Sequence, residues 1–145
     1  MSGYLLDTNI ISMLSPSRPG ASSKLAAWFD TIDVDSEVFL STVTLHEIEK
    51  GVALLENKGA TAKANALRAW VVGLMSAYED RVLPVDGAVA TMSGQMEALA
   101  IANGHNPGMA DALIAGTARV HELTMVTRNR RHFECFDLAL LAEEF

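Results

Sequence analysis

At 145 residues with a lone cysteine, Cys135, the chain is the size of one domain and excludes both a disulfide framework and a cysteine-rich zinc fold. Mean hydropathy is +0.20, yet no apolar run approaches the roughly 18 to 20 residues needed to span a bilayer. A net charge of −7 disfavours a protein that wraps duplex DNA through a broad basic face, although it leaves room for a local basic patch.

The first apolar run, Tyr4-Leu5-Leu6, ends in Asp7-Thr8-Asn9. It is short enough for a strand buried on both faces, with Asp7 at its carboxyl end, where open α/β sheets bind ligands. A bland reading makes Asp7 the cap of a helix beginning near Ile10. The same acid interrupts the run too early for a signal peptide, so the expected location is the cytoplasm, off the membrane.

Ser15 to Gly20 reads as a loop, with Ala21 to Asp30 as a helix and Thr31 to Glu37 as a polar connection. Val38 to Ser41 is a second strand, and Thr42 or Thr44 would cap the helix after it. There Leu45, Ile48, Val52 and Leu55 form one stripe with Glu47 beside it. Gly59 breaks that helix, and an alanine-rich one over Ala60 to Tyr78 completes a helical hairpin. Arg81 to Val85 is a third strand. Asp86 caps a helix whose stripe is Val89, Met92, Met96 and Leu99.

Beyond the loop Asn103 to Gly108, a helix crowded with small residues from Met109 to Ala118 carries Asp111 in its first turn. Leu123 to Thr127 is a fourth strand, followed by the basic turn Arg128 to His132. Leu138 to Leu141 is a last strand or apolar anchor. Strands alternating with helices at this spacing predict a single three-layer α/β domain over 1–145 with a mostly parallel sheet.

On that architecture Asp7, Glu47 and Asp111 all reach one sheet edge, beside the polar turn of Thr127 and Asn129. Each acid alone has an ordinary explanation: a cap, a solvated helix margin, or a first-turn acid favoured by the helix dipole. Converging carboxylates, however, repel one another unless something positive lies among them. An all-oxygen set of this kind suits magnesium or manganese rather than zinc, and such ions promote phosphodiester hydrolysis. Arg128, Arg130 and Arg131 would hold the substrate backbone.

Other chemistries lack their residues. His46-Glu47 opens like a zinc-protease helix, but Lys50 stands where the second histidine belongs. Glycine-rich nucleotide loops and a nucleophile elbow are absent from the sequence. A phosphomonoesterase using Asp7 as nucleophile would want an acid two residues on, where Asn9 stands.

The ordered set Leu6-Asp7-Thr8-Asn9-Ile10-Ile11-Ser12, Ser41 to Gly51, Ala110-Asp111-Ala112-Leu113-Ile114-Ala115 and Val126-Thr127-Arg128-Asn129 resembles PIN-domain ribonucleases of the VapC toxin type nearly end to end. The resemblance implies a Rossmann-like sheet, Mg2+- or Mn2+-dependent endoribonuclease activity, homodimerisation and inhibition by a VapB-like antitoxin. By position it makes Asp7, Glu47 and Asp111 the catalytic, metal-binding acids. It leaves Thr8, Asn9, Thr127 and the arginines to the RNA substrate. The family often has a further acid near Asn129 or at His132, and here neither is acidic. Asn129 can still offer a carbonyl oxygen, so weaker metal binding is expected. The alternative is a catalytically weak or inactive PIN fold that binds RNA or protein.

Overall fold

Tyr4–Leu6 (β1) is the strand on which the others assemble in the computed structural model, which describes residues 3–16, 23–142 and 144–145. After it come α1 (Thr8–Met13), α2 (Ser23–Phe29), α3 (Val34–Glu37) and β2 (Val38–Ser41). The chain continues through α4 (Thr42–Asn57), α5 (Thr61–Tyr78), β3 (Val82–Leu83), α6 (Gly87–Ala102) and α7 (Met109–Val120). It closes with β4 (Thr124–Val126) and α8 (Arg130–Phe133). The sheet order is β3-β2-β1-β4 and every pairing is parallel. Successive strands run one way from β1 to β3, and β4 returns on the other side of β1. That reversal opens a crevice at the carboxyl ends of β1 and β4.

Alternation along the strands divides the core. Leu5 and Met125 pack with α6, α7, Phe133 and Phe136 on one face. Leu6 and Val126 pack with Ile10, Ile11, Leu25, Trp28 and Tyr78 on the other. Neighbouring residues of a strand point to opposite faces, so a fully apolar strand needs helices on both sides, which gives the three layers. Each fully buried leucine contributes about 1.5–3 kcal/mol.

Several local expectations change. Ser41, rather than Thr42 or Thr44, caps α4, its Oγ accepting from Val43 N at 3.0 Å, because the strand passes into the helix without a spacer. The polar connection before β2 contains α3, where Ser36 Oγ donates to Asp33 Oδ2 at 2.7 Å. Gly59 (φ 83°) lets the chain turn between α4 and α5, a left-handed conformation that costs glycine little. The tail forms a parallel bridge, with Leu140 paired to Met125, and so extends the sheet beyond β4. Of the expected loop Ser15 to Gly20 and helix Ala21 to Asp30, positions 17–22 lie outside the described residues.

The stripe of α6 is also rotated. Val89, Ser93, Met96 and Ala100 are buried, Met92 packs at their margin, and Leu99 is 63% exposed. The reason is the close approach of α7, which brings Ala112, Ala115 and Gly116 to the contact. A Cβ on Gly116 would lie 1.9 Å from Ser93 Oγ and 3.0 Å from Ser93 Cα. Small residues on both helices select this face over the one holding Leu99. Gly116→Ala is therefore expected to destabilise the fold by about 1–3 kcal/mol through overpacking. An unchanged midpoint in urea denaturation would show that the two helices part without cost.

Candidate functional site

Asp7 leaves β1 in an extended conformation (φ −70°, ψ 157°) and caps α1, its Oδ1 accepting from Thr8 N at 2.8 Å. Its Oδ2 accepts from Thr127 Oγ1 at 2.7 Å, across from the end of β4. Capping and site membership are thus compatible, because each oxygen serves one of them. Only 6% of Asp7 is exposed. Burial pushes its carboxyl above the ordinary value. The bonds from Thr127 and Thr8 pull it back, while the charges of Asp111 and Glu47 push it further up.

Glu47 reaches the same place from the second turn of α4. Thr8 Oγ1 donates to its Oε1 at 2.6 Å and lies 3.1 Å from Thr44 Oγ1. Thr44 stands three residues before Glu47, on the same helical face. That spacing is the sequence signal for a supporting hydroxyl at Thr44, a residue expected only as a possible cap. Asp111 comes from the first turn of α7 with its side chain 30% exposed. Burial raises its carboxyl, the nearby His132 opposes this, and Glu47 adds to the rise. His132 Nδ1 stands 3.4 Å from Asp111 Oδ2.

The segment after β4 is fastened to the one after β1. Asn9 Oδ1 accepts from Arg128 N at 3.2 Å, and Asn129 N donates to Thr127 Oγ1 at 3.0 Å. Thr127 therefore accepts from one backbone amide while donating to Asp7, which fixes the direction of its hydroxyl. Asp7, Thr8, Glu47, Asp111, Asn129 and His132 line one open cavity of about 540 Å³, with Asn9 and Arg128 also on its wall.

The arginines divide. Arg128 borders this cavity, whereas Arg130 is committed to the tail, donating through Nη1 to Leu141 O. Arg131 is exposed beside the cavity rather than within it. His46, on the outer side of α4, is exposed.

Among the described residues no three His, Cys, Asp or Glu side chains are gathered into a preformed metal cluster. An open set of carboxylates suits a hydrated hard cation, which keeps several waters and relies on one or two carboxylates plus substrate phosphates. Asp7, Glu47 and Asp111 could supply the oxygen donors and the negative charge for such an ion.

The chain and its fold have close counterparts. Residues 4–137 match the PIN domain family. The sequence is 36% identical over 137 residues to Toxin FitB of Neisseria gonorrhoeae, covering 94% of both chains. It is 32% identical over 138 residues to the VapC ribonuclease Y4jK of Sinorhizobium fredii, again covering 94% of both. The crystal structure of FitAcB from N. gonorrhoeae superposes with a TM-score of 0.82 at 36% identity, covering 95% of this chain and 96% of that one. With the parallel sheet and the acids gathered at its carboxyl edge, a match of this length shows that the chain belongs to the PIN-domain family.

Proposed function

We propose that this protein is a metal-dependent endoribonuclease, the toxin of a VapBC-type pair, and that it hydrolyses RNA phosphodiester bonds at the edge formed by β1, α4 and α7. The carrying observation is the single cavity lined by Asp7, Glu47 and Asp111, in which the carboxyls of Asp7 and Asp111 are raised by burial and by their neighbours' charge. Relatives named as a toxin and as a VapC ribonuclease support the same reading.

Asp7, Glu47 and Asp111 would hold Mg2+ or Mn2+, which lowers the pKa of water and offsets charge on phosphoryl oxygens. The chain's own residues then do the positioning. Thr127 and Thr8 each donate to a carboxylate and keep Asp7 and Glu47 in fixed orientations. Arg128, at the rim, pairs with a backbone phosphate. Asn129 offers a carbonyl oxygen that accepts from water. Bulk water takes the proton of the attacking water and supplies one to the departing 3′ oxygen. A new P–O bond forms and the bond to the 3′ oxygen breaks, leaving a 5′ phosphate and a 3′ hydroxyl. Single-stranded or looped RNA suits so open a cleft.

The domain acts as one unit over 1–145, in the cytoplasm, as a homodimer inhibited by a VapB-like antitoxin. No described helix is long and apolar enough to cross a membrane. Exposed Leu99, Ile101 and Met109 offer apolar area for a subunit contact. A second reading, a PIN fold that binds RNA or protein without cutting, is favoured by the non-acidic Asn129 and His132.

Radiolabelled RNA separates the two readings. Cleavage in magnesium should fall more than about 100-fold in Asp7→Ala and stop in EDTA; persistence in either would end the metal-nuclease reading. Asn129→Asp should tighten manganese binding in calorimetry, and an unchanged affinity would remove Asn129 from the ion's surroundings.

Because the folded state raises the carboxyls of Asp7 and Asp111, it binds more protons than the unfolded chain between the ordinary and raised values. Metal-free stability should therefore fall as pH rises through that window. Asp7→Asn, which keeps the cap, should raise the metal-free melting temperature at neutral pH. A lower one would show that the charge on Asp7 is already balanced.

A further inference from the structure

Beside the acidic cavity lies another of about 480 Å³, whose lining includes Arg128, Asn129, Arg131, His132, Glu144 and Phe145. Arg128, Asn129 and His132 belong to both, so the two cavities adjoin. The volume falls within the range of small-ligand pockets.

Its charges make opposite demands. Arg130 also borders the cavity, but its guanidinium already donates to Leu141 O. Arg128 and Arg131 are exposed, and among the described residues neither forms an ion pair. Two guanidiniums free of carboxylate partners in one concavity call for an anion, and their planar forks match a phosphate. Glu144 stands in the same wall, also outside any ion pair among the described residues. An ionised carboxylate only accepts, so it calls for N–H donors. Phe145 adds an aromatic surface, its ring 5.8 Å from that of Trp28. Phosphate, stacking surface and paired donors together describe a nucleotide.

The choice of base follows from hydrogen-bond chemistry. Adenine and cytosine present one exocyclic amino group on the Watson–Crick edge, and uracil one ring N–H. Guanine alone presents adjacent N1–H and N2–H donors, which a carboxylate accepts in a bidentate pair. We propose that this cavity is a guanine nucleotide subsite: Arg128 and Arg131 hold the phosphate next to the cut, and Glu144 reads the base. The assignment rests on the ribonuclease reading for its place in the reaction, and on the cavity itself for binding.

Calorimetric titration of the full chain with 5′-GMP, 5′-AMP, 5′-CMP and 5′-UMP tests binding without cleavage. GMP should bind about tenfold more tightly than the others, the scale of one bidentate base contact. Glu144→Gln, which places an amide donor against guanine's donors, should bring GMP to the level of the rest. Arg131→Gln should weaken all four alike. Equal affinities in the wild type, a GMP preference that survives Glu144→Gln, or indifference to Arg131→Gln would overturn the subsite. Metal-dependent RNA cleavage alongside equal affinities would overturn the subsite alone. Preferential GMP binding without cleavage of any RNA would keep the subsite and remove the nuclease reading.

Discussion

The hydrogen bond from Thr127 Oγ1 to Asp7 Oδ2 joins residues 120 positions apart and closes the carboxyl edge of the sheet. A buried carboxylate is tolerable only if its oxygens are satisfied, and a hydrogen bond to a charged group is worth about 1.5–3 kcal/mol. Thr127 can reach Asp7 because β1 and β4 are parallel neighbours in register, Leu6 opposite Val126. Asp7 N extends that pairing by donating to Val126 O at 2.9 Å. The strand ladder, the start of α1 and the turn after β4 thus meet at one side chain. Asn9 then ties the same turn down through Arg128 N.

The cost of this arrangement is electrostatic. Three acids share one cavity, and their mutual repulsion adds to the burial of Asp7 and Asp111. Such strain is unfavourable in the bare fold and would be relieved by a bound cation. A protein of net charge −7 that takes an anionic polymer needs a local exception. Arg128 lines the acidic cleft and Arg131 the cavity beside it, where attraction to an anion works at short range despite an unfavourable overall charge.

Some residues assigned together by their adjacency have separate duties. Arg128, Arg130 and Arg131 form one basic turn in sequence, yet Arg130 fastens the tail while its neighbours face solvent. His132, set apart in the sequence for lacking a carboxylate, faces Asp111 and partly balances it. On α6 the helical period was correct but its phase was not. Leu99 matches the apolar stripe but is exposed, whereas Ser93 is buried against Gly116.

The sequence by itself determined the order of elements, the strand-end position of Asp7 and the set of acids that share the edge. These follow from short-range chemistry: apolar runs, caps, breakers and helical spacing act within a few residues. Only the tertiary structure decided which face of α6 is buried, which arginine is spent on the tail, and which hydroxyl holds which carboxylate. Those outcomes depend on contacts between segments up to 120 residues apart. Close packing sets them by tenths of an ångström, and no local pattern carries that information.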